Sequence, residues 1–293
     1  PAETATRRLN LAQAFNPIGS LLGMFTAMYF VQARLSDYST EERAMLDPVE
    51  YQSIKSADLA VLSDTYACLG LVIAAIFLMV LIVKMPKGES LSADRPRLSE
   101  TFSRLFRNRL YREGVVAQFF YVGAQVMCWT FIIQYGTSVF MDEGMTERVA
   151  EMTSQKYNII AMVLFCAGRF ICTYLLRYIN PGKLLFILAL AACFMVTGVI
   201  VFDGRLGLYC LVAVSACMSL MFPTIYGISL QGVGDDAKIG AAGLIMAILG
   251  GSLLPPVQAA IIDSGSLNLS FLMPMLCFVI VAIYAYRATK NLA

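Results

Sequence analysis

The sequence predicts an all-α membrane protein with about eight transmembrane helices, and three observations carry that prediction. The first is composition: over 293 residues, 58% are hydrophobic and 14% charged, and the mean hydropathy is +0.69. A soluble domain holds about 45–50% apolar and about 25% charged residues, so a larger core does not account for the difference. The second is length of run. A helix crosses the hydrocarbon layer with about 20 mainly apolar residues, and eight stretches qualify: 10–32, 65–83, 114–136, 157–178, 183–202, 206–230, 239–262 and 269–286. They do not alternate apolar with polar residues, as strands of a membrane barrel do, and most lack the polar face of a soluble bundle helix. The third is charge sorting between the runs. Segment 84–112 holds eight basic residues against three acids, and segment 33–64 holds three against seven. Positive loops stay cytoplasmic. That places 84–112 inside, 33–64 outside and, counting onward, the C-terminus with Arg287 and Lys290 inside.

Taken in order, the first run carries Gln13, Asn16 and Ser20 at steps of three and four, one face of a helix. Pro17 follows Asn16 and is expected to kink the helix, freeing backbone groups beside that face. Such polar groups serve either solute contact or hydrogen bonds between helices. Gly19 and Gly23 make a small-residue pair for close helix approach, and Gly243, Ala247 and Gly251 make a second. In the basic loop, Leu98, Phe102, Leu105 and Phe106 share a helical face beside Arg104, Arg107 and Arg109. That pattern suits a helix lying along the membrane surface.

The run at 114–136 places Gln118, Tyr121, Gln125 and Trp129 on one face, at steps of three, four and four. Amides bond hydroxyls in both directions, and the aromatic rings offer flat apolar surfaces. A sugar has the complementary make-up, with hydroxyls around its edge and C–H groups on its faces. Trp129, the one tryptophan of the chain, lies mid-span rather than at an interface. The competing use of the stripe is again hydrogen bonding between helices. In 157–178, Arg169 has apolar neighbours for several turns and is expected to snorkel, or to pair with a loop carboxylate and gate the inner face. In 206–230, Phe222-Pro223-Thr224-Ile225-Tyr226 interrupts the helix, either as a plain bend or as the broken helix of a mid-membrane site.

Several functions are excluded at this level. With no histidine, histidine metal sites and histidine-dependent catalysis are unavailable. The eight cysteines lie inside apolar runs without a C-x-x-C pair and read as buried thiols. No Asp or Glu lies deep in a span; Asp64, Glu113 and Asp263 sit at span ends. The chain therefore reads as no enzyme, with no metal and no cofactor. The basic loop needs no nucleic acid to explain it. Two helices before a long basic loop and six after it is the arrangement of a two-bundle secondary transporter with four helices missing upstream. The start at Pro1 reads accordingly as a processed or partial chain. The expected domains are 1–83 (the end of an N-terminal bundle), 84–112 (a cytoplasmic linker) and 113–293 (a C-terminal six-helix bundle).

At Asn10-Leu-Ala-Gln-Ala-Phe-Asn-Pro17 and Tyr121-Val-Gly-Ala-Gln-Val-Met-Cys-Trp129 the chain resembles the L-fucose:proton symporter family of the major facilitator superfamily. Gly168-Arg169-Phe170, Phe222-Pro-Thr-Ile-Tyr226, Ile248-Leu-Gly-Gly251 and Met273-Pro-Met-Leu-Cys-Phe278 extend the resemblance nearly end to end. The resemblance implies a partial major facilitator fold equivalent to helices five to twelve, working as a monomer in a bacterial inner membrane by alternating access. It implies a sugar pocket that includes Gln13, Asn16, Gln125, Trp129 and the Phe222 position; the residue pattern adds Gln118, Tyr121 and Tyr226 as candidates, with Pro17, Arg169 and Pro223 as gating or structural residues. The Gln125–Trp129 pairing favours L-fucose over glucose, galactose or an amino sugar, which are the alternatives. In such families the proton-coupling carboxylates stand on the first and fourth helices. The chain shows no counterpart, so it is expected not to couple transport to protons by itself.

Overall fold

The computed structural model describes residues 15–31, 34–36, 38, 42–43, 45–83 and 98–291; the side chains of Asn16, Leu98, Ser99, Asp235 and Asn291 fall outside that description. Among the described residues every regular element is helical. Seven helices are long and apolar enough to cross a membrane, and Pro17–Val31 is a shorter apolar helix. The fold class predicted from composition and run length is therefore the one observed. The residues fall into two compact units, one of residues 19–95 and one of 1–18 with 96–293.

The first described helix, α1, runs Asn16–Thr26 and continues as a π-turn over Ala27–Val31. Pro17 is its second residue. In that first turn the missing N–H removes no bond of the described helix; residues 10–14, where the expected kink would show, lie outside the described residues. Gly19 and Gly23 have no neighbour within 4 Å of where a Cβ would stand; this pair closes no helix contact among the described residues.

Helix α2 spans Pro48–Ile82, 35 residues with Pro48 at its start. Sequence reading located only 65–83, because apolarity marks the part in hydrocarbon and not where the helix begins. At about 1.5 Å per residue the helix is far longer than a membrane core of about 30 Å. Its polar first half is tied to the preceding loop. Ser36 donates through N and Oγ to the Asp58 carboxylate at 2.9 and 2.8 Å, and Arg43 Nη2 donates to the same group at 2.7 Å. No residue of α2 is buried.

The larger unit begins with α3 (Leu98–Arg107) and α4 (Arg109–Asp142). Asn108 caps α4, its side chain accepting from Tyr111 N at 3.2 Å. Helix α5 covers Glu147–Leu175 and α6 covers Pro181–Val201, with Asn180 accepting from Gly182 N at 2.9 Å and Pro181 in the first turn. Then come α7 (Arg205–Met218), α8 (Met221–Ser229), α9 (Ala237–Met246) and α10 (Gly250–Asp263), followed by α11 (Leu267–Ser270) and α12 (Leu272–Asn291). Two predicted spans are thus each a pair of shorter helices. One breaks between α7 and α8, and the other passes from α9 to α10 through the 3₁₀ turn Ala247–Leu249.

Helix α4 is the centre of this unit, packing on α5, α7, α8, α10 and α12, while α6 and α12 pair along one side. Small residues let α4 and its neighbours approach closely. A Cβ on Gly250 would fall on the Phe119 carbonyl oxygen, and one on Gly114 would fall on Ser229 Oγ. Of the eight cysteines, Cys128, Cys172 and Cys277 are buried, four are partly buried, and Cys68 on α2 is exposed, so burial holds for only part of the set.

Helix α3 docks by its inner face. Leu105 packs with Tyr111 and Leu244, while Phe102 and Phe106 stay exposed. Arg104 closes the dock, donating from Nε and Nη2 to the two oxygens of Asp236 at 2.8 and 2.7 Å. The hydrogen bonds from Arg104 hold the Asp236 carboxyl below its ordinary range. A carboxyl with a lowered folded pKa contributes stability above its unfolded pKa and loses it as pH falls through the folded value. Acidification is therefore expected to raise hydrogen exchange in α3 selectively, and Asp236→Asn to remove that pH dependence. If α3 exchanges alike in both proteins across the carboxylate range, the pair does not hold it.

Candidate functional site

The polar face of α4 meets two environments along its length. Gln118 and Tyr121 are fully buried, whereas Gln125 and Trp129 are half-buried. In this conformation neither the Gln118 nor the Tyr121 side chain is exposed. The broken helix α8 closes over that stretch of α4, with Phe222 6.4 Å from Tyr121 between ring centroids and Ser229 against Gly114. One helical face predicted from spacing alone is in fact divided by what packs on it. Neither amide atom of Gln118 has a hydrogen-bond partner among the described residues. The Tyr121 hydroxyl donates to the Met218 carbonyl at 2.9 Å.

Gln125 and Trp129 remain as the open end of the stripe. The Trp129 indole N–H donates to Ser215 Oγ at 3.2 Å, and the ring stands edge-on to Phe165 at 4.9 Å and 85°. With its N–H bonded and one edge held, the indole is fixed in orientation and offers surface rather than a donor. Gln125, one turn away, has no hydrogen-bond partner among the described residues, so its amide supplies the donor and acceptor. Phe222 is half-buried at the start of α8, and Tyr226, also half-buried, sits a turn further on against the Leu105–Tyr111–Leu244 cluster. Gln13 lies outside the described residues, and so does the side chain of Asn16.

Arg169 does not snorkel. It is 5% exposed; its guanidinium carbon lies 4.9 Å from the Phe165 ring centroid, and Nε donates to the Ser219 carbonyl at 2.8 Å. Pro223 is buried in the first turn of α8. Sequence reasoning missed Phe165, Ser215 and Ser219. The first was within reach, since Phe165 and Arg169 are four apart on one helix. Ser219 was too: it is the residue whose carbonyl a helix would bond to the N–H that Pro223 lacks.

Two open clefts lie on other parts of α4. One of about 650 Å³ takes in Thr130, Gln134, Thr137, Asp142, Glu147 and Glu151 at the α4–α5 end. The other, about 420 Å³ and mostly apolar, lies between Phe106, Phe119 and Met246. None of the predicted stripe lines either.

No protein-family model matches the chain. It is 45% identical to an L-fucose-proton symporter of Haemophilus influenzae over 301 residues, which cover 99% of this chain and 68% of that protein. It is 30% identical to an L-fucose-proton symporter of Escherichia coli K12, over 97% of this chain and 65% of the relative. A glucose/galactose transporter of Brucella abortus is 28% identical over 99% of the chain and 65% of its own length. Among solved structures, the outward conformation of FucP, a major facilitator superfamily transporter, superposes with a TM-score of 0.82 at 30% identity. That match covers 98% of this chain and 69% of the other.

Proposed function

The chain belongs to the L-fucose:proton symporters of the major facilitator superfamily, and we propose on that footing that it serves L-fucose uptake with a proton, by alternating access, across a bacterial inner membrane. The observation that carries the sugar-binding part is the open end of the α4 stripe. There a fixed indole and an amide without a hydrogen-bond partner among the described residues sit one turn apart on a half-buried face. A pyranose laid on the indole places its C–H face on apolar surface and its hydroxyls within reach of an amide that both donates and accepts. Phe222 adds a second aromatic from the broken helix, and Gln13 and Asn16 are assigned to the same pocket. Gln118, Tyr121 and Tyr226 support its wall from behind. L-fucose is favoured over glucose or galactose because the fucose symporter of H. influenzae shares far more identity with the chain than the glucose/galactose relative does.

The sorted charges support an orientation with 84–112 and the C-terminus cytoplasmic. The protein acts as a monomer, with residues 84–112 linking two bundles. No carboxylate is among the buried polar residues described, so the proton-binding group of the cycle stands elsewhere. Uptake of labelled sugar into cells that express the full-length protein tests the reading. L-fucose is expected to compete at far lower concentration than D-glucose or D-galactose, and an uncoupler to abolish accumulation. Preferential competition by D-glucose would move the assignment to the hexose alternative.

A further inference from the structure

The break between α7 and α8 leaves two backbone carbonyls without helical partners, and each is met by a side chain from another helix. In an α-helix the Ser219 carbonyl would accept from residue 223, which is a proline and has no N–H. The ladder resumes at the next residue, where Thr224 N donates to the Leu220 carbonyl at 3.2 Å. Arg169 Nε reaches the Ser219 carbonyl at 2.8 Å, as a fully buried bond. The Met218 carbonyl takes the Tyr121 hydroxyl, at which the Phe222 N–H is also directed. Inside a bilayer no water replaces a missing backbone partner, so freed carbonyls must be satisfied by protein.

Two further features aim Arg169 at this carbonyl. Gly168 lets the backbone of α5 come against the break: a Cβ there would stand 2.8 Å from Ser219 Oγ and 3.2 Å from the Ala216 carbonyl oxygen. Phe165, one turn earlier, holds the flat face of the guanidinium, a stack open to arginine's planar group and poorly matched by lysine's ammonium. Phe165 also meets the edge of Trp129. One contiguous set of contacts therefore runs from Trp129 through Phe165 and Arg169 to the break from which Phe222 projects.

We propose that Arg169 is a positioning residue: it supplies the donor that Pro223 lacks, and through that bond fixes the half-helix that carries Phe222 relative to Trp129. Its effect on sugar affinity rests on the functional reading above; its effect on the break does not.

The test is a mutant cycle in the membrane-embedded protein. It compares Arg169→Met in the native and Pro223→Ala backgrounds, reading the thermal midpoint without sugar and L-fucose affinity separately. Alanine at 223 returns a backbone N–H to the Ser219 carbonyl. In the native background Arg169→Met is expected to lower the midpoint and weaken L-fucose binding about tenfold or more. In the Pro223→Ala background it is expected to do little to either. Arg169→Lys should fall between. If Arg169→Met alone cannot be recovered folded, recovery of the double variant supports the proposal and its loss overturns it. Equal damage in both backgrounds also overturns it, since a general packing role does not depend on residue 223. Failure of the unmutated protein to bind L-fucose would refute the functional reading and leave the sugar-free cycle to judge the Arg169 bond.

Discussion

Gly250→Ala is expected to destabilise the large unit by about 3 kcal/mol or more, at the upper end of overpacking costs. The added Cβ would land on the Phe119 carbonyl oxygen, and the Phe119 carbonyl carbon and Cα would lie at 2.8 and 3.2 Å. These are backbone atoms inside α4, so no rotamer change relieves the clash and the two helices must separate. Helices in a bilayer associate through van der Waals contact rather than hydrophobic expulsion, and separation loses the contact along the whole α4–α10 seam. The neighbouring residue is an internal control. A Cβ on Gly251 would meet Val126 Cγ2 at 2.9 Å and Val122 Cγ1 at 3.1 Å. Those are side-chain methyls with some freedom to yield, so Gly251→Ala should cost about 1 kcal/mol. Denaturant or thermal unfolding in detergent reads both. Equal losses at 250 and 251 would mean the α4–α10 contact is not set by backbone approach at Gly250.

Removing the Trp129 ring is expected to have the largest effect on binding. Trp129→Ala should weaken L-fucose affinity about thirtyfold or more, the scale of a buried aromatic anchor. Trp129→Phe should retain part of it, since a smaller ring keeps some stacking surface but loses the Ser215 bond that fixes it. Gln125→Ala should cost less than Trp129→Ala and Gln125→Glu more than Gln125→Ala, because a carboxylate accepts hydrogen bonds but cannot donate them. Binding calorimetry suits the series, as the tryptophan itself is altered. An unchanged affinity in Trp129→Ala would remove the indole from the sugar's surroundings.

The division between what was legible and what was not follows from which physics acts locally. Apolar run length located the spans because a bilayer imposes a minimum apolar length on every spanning helix, and the proline after Phe222 announced an interruption, though not whether it is a bend or a break, because a missing N–H is a local fact. The extent of α2 was hidden, since its polar first half is helical for reasons hydropathy does not register. The stripe of α4 was right in its periodicity. Its division into buried Gln118 and Tyr121 and half-open Gln125 and Trp129 depends on α8 closing over one end, a tertiary event with no mark in the spacing. Arg169 looked like a residue in search of water or a carboxylate; among the described residues its Nε bonds a backbone carbonyl fifty residues on, an acceptor that only the proline four residues after it marks in the sequence.

A structure of the membrane-embedded protein with L-fucose bound tests the central claim most directly. The account predicts the sugar's C–H face against the Trp129 indole, with a hydroxyl within hydrogen-bonding distance of the Gln125 amide and Phe222 on the facing side. A sugar bound away from α4, or Gln125 and Trp129 turned toward lipid while the sugar is held elsewhere, would contradict it.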